Sequence, residues 1–153
     1  MKITNVIAAG IAGTAVMTAY SYYITHKLKK ETREPVVLGT LLTNEINILG
    51  DVSESSKSLI VGNIGHYAVG AAFAISYEML WQKKIGKPDL KNGIILGLIS
   101  GLIAVAGWST LFNIKKRPQK VKLIPFLTQL VPAHVVFATS TVRVYNLLKK
   151  TNI

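Results

Sequence analysis

The chain has 153 residues, half of them hydrophobic, a formal net charge of +11 and no cysteine. The missing cysteines exclude disulfides, thiolate catalysis, zinc fingers and cysteine-ligated iron–sulfur clusters. The charge suggests nucleic acid at first sight, but the basic residues gather at the ends of apolar runs: Lys27, Lys29, Lys30 and Arg33 after the first, Lys83, Lys84 and Lys87 after the second, Lys115, Lys116 and Arg117 after the third, Lys149 and Lys150 after the fourth. Anionic lipid headgroups attract basic side chains there at roughly 1 kcal/mol each, so the expected partner is a lipid bilayer and no nucleic acid.

Four uncharged runs, Ile3 to His26, Ser58 to Tyr77, Asn92 to Ile114 and Leu123 to Val142, each hold the roughly 20 residues a helix needs to cross a bilayer. They predict an all-α, integral membrane four-helix bundle, a single domain over residues 1–153. The spans are expected at about 3–25, 58–80, 92–114 and 123–148. Helix 1 ends in AYSYYITHKLKK, an aromatic and basic anchor, and is read as a retained span rather than a cleaved leader. Between helices 1 and 2, Pro35 suits a first turn and Gly50 a stop. Leu38, Leu41, Leu42, Ile46 and Leu49 recur between them at helical spacing. That stretch, about 35–50, predicts an amphipathic interfacial helix, or one folded back on the bundle. DVSESSK then supplies a cap for helix 2.

The second span carries His66 and the fourth His134, each eleven residues before a tyrosine, Tyr77 and Tyr145. In the fourth, Pro125 and Pro132 each remove a backbone donor, which leaves two readings open: a helix continuous over 123–148, or a short interfacial IPFLTQL segment with the true span starting near Pro132 and Arg143 snorkelling to the interface. Tyr20, Tyr22, Tyr23, Tyr77, Trp81, Trp108, Phe112 and Tyr145 fall at span ends, as interface anchors do. The two sides of the membrane share the 18 Lys and Arg almost evenly, which leaves orientation open. The halves also resemble each other: a small-residue helix, a proline-marked segment (EPVVLGTLL, IPFLTQL), then a histidine helix, as in a parallel repeat.

Small residues at Gly10, Gly13, Gly62, Gly70, Gly93, Gly97 and Gly101 allow close helix approach. They support a non-enzymatic membrane protein that forms a homo-oligomer or docks on a larger complex through these faces. No nucleophile–base pair, phosphate loop or metal motif is present; His26, Glu31 and Glu34 fit no ligand spacing, and no catalytic or metal residue is assigned. Two parallel helices carrying His66 and His134 at similar depth define a second reading, the axial ligands of a haem b or contacts to a small ligand such as a quinone or lipid. Without a ligand the two histidines would serve only as hydrogen-bonding partners within the bundle. A third reading is a transporter or channel lined by His66, Thr139 and Ser140. Glu78 and Arg143 are expected at one end of the bundle, as a pair or as headgroup anchors.

GIAGTAVMT, EPVVLGTLL and GHYAVGAAFAISY together resemble the YagU-like group of small bacterial inner-membrane proteins. The resemblance implies a compact multi-span helical protein of the bacterial inner membrane and carries no established chemistry.

Overall fold

A computed structural model describes residues 2–46 and 50–151. Among them are five helices and no strand: α1 (Ile3–Leu28), α2 (Glu34–Thr43), α3 (Ser56–Gln82), α4 (Leu90–Ile114) and α5 (Leu123–Thr151). Four of the five, all but α2, are long and apolar enough to cross a membrane. At 1.5 Å per residue each covers more than the ~30 Å hydrocarbon core. The architecture is that of an integral membrane four-helix bundle with a short helix between the first two spans.

Local chemistry sets the ends. Ser55 caps α3 by accepting the Ser58 N–H at 3.1 Å, and Asp89 caps α4 by accepting the Asn92 N–H at 2.8 Å. Lys29 and Asn44 end α1 and α2 in the left-handed conformation, at φ 52° and 55°. Asn44 therefore stops α2 six residues before Gly50, the expected stop, because asparagine tolerates that conformation. Gly50 instead turns the following loop at φ 74°, where its carbonyl accepts the Gln119 N–H at 2.7 Å. Asn47 to Leu49, the tail of the expected helix, lie outside the described residues.

Of the two seatings open to α2, the structure has the one folded onto the bundle. Val36, Val37 and Leu41 are buried with Val121, Phe126 and Leu130 of the α5 end in one apolar cluster. Against α3 the approach is backbone to backbone. A Cβ on Gly39 would strike the Ser58 carbonyl, and one on Gly62 the Pro35 carbonyl. Leu42 stays exposed, so α2 has a single narrow outer face.

α5 is the hub. It packs on α1 and on α4, while α1 also packs on α3, and α3 and α4 are not a closely packed pair. All seven glycines singled out in the sequence lie in these internal seams. A Cβ on Gly10 would meet Ala74, one on Gly13 would meet Thr141 and Phe137, and one on Gly70 would meet Thr14. Gly93, Gly97 and Gly101 seat α4 on Thr139, Val135 and Val131 of α5.

Of the two readings of the fourth span, the structure has the continuous one, and α5 runs unbroken through Pro132. Pro125 falls in its first turn, where a missing donor is harmless. At Pro132 the flanking Leu130 and Ala133 are fully buried, and this packing outweighs the lost hydrogen bond. The two proline-marked segments therefore differ: EPVVLGTLL is a separate helix and IPFLTQL the beginning of a span. The aromatic anchors divide as well. Tyr22 and Tyr23 are exposed, whereas Tyr77 is buried and donates to Ser100 Oγ at 2.8 Å, and Trp81 packs edge-on against Tyr145 at 4.7 Å. Glu78 is buried and accepts from Gln82 at 3.0 Å, so it is no headgroup anchor, whereas Arg143 is exposed.

Candidate functional site

The gap between α3 and α4 is a cavity of about 270 Å³. Tyr77 and Ser100 bridge the two helices toward one end, and the cavity lies on the other side of that bridge, toward α2. Its inner wall is buried: Met17 of α1, Gly70 of α3, Phe137 of α5. Its rim is exposed: Val69 of α3 and Ile103 and Gly107 of α4, the first two near the middles of their helices. The mouth therefore faces sideways, toward hydrocarbon in a bilayer-spanning bundle.

Three polar side chains interrupt the apolar lining: His66, His134 and Glu34. His66 is the eleventh residue of α3 and His134 the twelfth of α5. The two helices run parallel from the same side, so these nearly equal counts give similar depth, about 15–17 Å along each helix. Both histidines line the one cavity.

Their chemistry differs in detail. His134 Nδ1 lies 2.9 Å from the Leu130 carbonyl. A carbonyl only accepts, so Nδ1 carries the proton and Nε2 of the neutral ring is left a bare acceptor. The edge-on rings of Phe73 and Phe137, at 5.9 and 6.4 Å, hold that imidazole in place. His66 is 7% exposed, and its Nε2 is buried without a partner among the described residues. A buried polar atom left unpaired costs about 1–3 kcal/mol, and this one belongs to a residue that lines the cavity.

Glu34 is the residue whose role the sequence reading missed. It opens α2 and is fully buried, with Ser21 of α1 donating to Oε2 at 2.5 Å and Gln129 of α5 donating to Oε1 at 2.8 Å. Gln129 also donates to the Thr32 carbonyl at 3.3 Å, and Thr32 is tied to Thr25 and to the Ser21 carbonyl. This junction pins the α1–α2 turn to α5. Burial outweighs the three donors, Ser21, Gln129 and the residue's own backbone N–H, and pushes the Glu34 carboxyl up to about 6. Among the described residues no cation offsets it. Arg33, next in sequence, is turned to Glu31 at 2.6 Å and Glu54 at 2.7 Å, and these bonds hold its guanidinium above its ordinary range.

The other named residues go elsewhere. Thr139 donates to the Val135 carbonyl of its own helix at 2.7 Å, and neither it nor Ser140 lines the cavity. His26 is exposed, Glu31 faces Arg33 and Glu34 points inward, so the three do not meet; no group of three metal-ligating side chains occurs among the described residues. For a haem b between His66 and His134 the lining is unsuitable, because it offers no lysine or arginine to the propionates and places a carboxyl among them. Comparison of the chain with protein-family models, with characterised proteins and with solved structures finds no match.

Proposed function

We propose that this chain is a membrane-embedded binding protein for a small, apolar-bodied molecule that enters sideways from the bilayer. The ligand's body lies along Phe73, Trp108 and Phe137, and its polar end hydrogen-bonds to His66 and His134. The observation that carries this reading is a laterally facing apolar cavity lined by two buried imidazoles, one with a buried unpartnered nitrogen and the other with its Nδ1 proton spent on a carbonyl. A volume of about 270 Å³ falls just below the ~300–1,000 Å³ usual for small-molecule sites and suits one or two fused rings. Docking through the glycine faces has less support, since those faces are spent inside the bundle.

Trp108 in the lining makes the reading testable by fluorescence, with Trp81→Phe removing the second tryptophan. In that background, the neutral 2-naphthylmethanol is expected to quench Trp108 saturably. Gly107→Phe adds a ring at the cavity rim, where a Cβ meets nothing within 4 Å. It is expected to weaken binding at least tenfold. Unsaturable quenching, equal in both proteins, would mean partition into detergent and would contradict the reading.

A further inference from the structure

We propose that the ligand of this cavity is a lipophilic monocation, an apolar amine in its ammonium form, whose charge replaces the proton on Glu34. The inference rests on the cavity being a binding site and adds the class of molecule that fits it.

The walls supply acceptors and lack the matching charge. The Glu34 oxygens accept from Ser21, Gln129 and the residue's own backbone N–H, and a carboxylate with about four acceptor sites has room for one more donor. His134 has spent its proton on Leu130, leaving Nε2 as an acceptor. His66, whose Nε2 is buried without a partner among the described residues, lines the same space. A ligand that satisfies such a set brings N–H or O–H donors. The aromatic faces of Phe73, Trp108 and Phe137 line the same space and attract a cation further.

Charge decides between an ammonium and a neutral alcohol. A carboxylate buried in apolar surroundings is tolerated only when it is paired or protonated. The groups around Glu34 are Tyr20 and Ser21 from α1, His66 from α3, and Gln129 and His134 from α5, with Glu31 and Arg33 in the preceding turn. Arg33 is the one permanent cation of this set, and two carboxylates already hold it. Glu34 therefore holds either a proton or a cation from outside. One ammonium in and one proton out leaves the site's charge unchanged, and no electron moves.

The test compares 2-naphthylmethylammonium with 2-naphthylmethanol, which share a body and differ in the charged group, on the full-length Trp81→Phe protein in neutral detergent. The ammonium is expected to bind at least tenfold tighter than the alcohol at pH 7. Proton competition should weaken it by about tenfold for each pH unit below about 6. In weakly buffered solution near pH 5, close to one proton should appear per ammonium bound. Glu34→Gln is expected to remove the preference and the proton release, and Glu34→Asp, which keeps the charge, to retain both at lower affinity.

If the alcohol binds and Gly107→Phe blocks it, but the ammonium is no tighter and releases no proton, the inference falls and the binding site stands. If neither molecule binds saturably, both fall. Proton release that persists in Glu34→Gln would assign the exchange to another group and would also overturn the inference.

Discussion

The close seating of α4 on α5 makes opposite predictions for two glycines ten residues apart on one helix. A Cβ added at Gly97 would stand 2.5 Å from the Val135 Cα and 2.9 Å from the His134 carbonyl oxygen. Both obstacles are backbone, so no rotamer change relieves them, and Gly97→Ala must push α4 off α5. Overpacking of this kind costs about 1–3 kcal/mol, and a backbone obstacle places it in the upper half, near 2–3 kcal/mol. Alanine's better helix propensity returns at most about 1 kcal/mol. The return is smaller still here, because apolar helices keep their internal hydrogen bonds when they separate in lipid or detergent. A net loss of about 2 kcal/mol is expected. Gly107→Ala meets nothing within 4 Å and is expected to change stability by less than about 1 kcal/mol, in the stabilising direction. Unfolding by sodium dodecyl sulfate from mixed micelles, followed by tryptophan fluorescence, measures both. Equal effects at the two positions, or a neutral Gly97→Ala, would refute the close seam.

Glu34 predicts a dependence of stability on pH. Its carboxyl rises from the usual 4.5 to about 6 in the folded protein, so the folded state holds the proton more tightly. The resulting stability, about 2 kcal/mol, is fully present below pH 4.5 and is lost as pH rises through about 6. Glu34→Gln should abolish this component, which melting curves between pH 4.5 and 7.5 would reveal; an unchanged slope would contradict it. Glu45 and Asp89, held low by Ser55 and by the Asn92 N–H, act in the opposite sense at lower pH and leave this window clear. Tyr77→Phe removes the bond to Ser100 and should cost about 1 kcal/mol in the same unfolding assay. Gly62→Leu should detach α2 from α3, seen as faster protease cleavage between residues 43 and 56, with little loss of helix by circular dichroism. The absorption spectrum of the purified protein should lack a Soret band, since the cavity suits no haem; a band that shifts on reduction would reverse that conclusion.

The spans and their caps were legible in the sequence because they rest on local properties. Uninterrupted apolar length gives a span, and Ser55 and Asp89 stand directly before their helices. The similar depth of His66 and His134 was legible for the same reason, as a count from two helix starts on one side. Continuity through Pro132 stayed open in the sequence because donor loss is a local rule, while the packing that carries α5 through it comes from distant residues. The fate of α2 was ambiguous for a similar reason. Leu38 and Leu42 suggest an apolar stripe, but the contacts that bury the helix are Gly39 on Ser58 and Gly62 on Pro35, and no periodicity announces them. Glu34 was hidden by its neighbours. Between Glu31 and Arg33 on one side and a proline on the other, it reads as one more charge of a basic turn. Its burial depends on Ser21 and Gln129, the second 95 residues away. A weak signal was present: of the acids in that turn it is the one placed at a helix start, against a proline and a valine pair.

The central claim is that His66 and His134 line one ligand space, and nitrogen-15 magnetic resonance of the histidine-labelled protein tests it most directly. Without ligand, His134 should show a protonated Nδ1 and a bare Nε2; with 2-naphthylmethanol, the bare Nε2 signal of His134 should move as it accepts the single O–H, and the ring signals of His66 should shift with the filled cavity, while exposed His26 stays in place. Signals that do not respond at saturating probe, or a His134 protonated on Nε2 alone, would contradict the account.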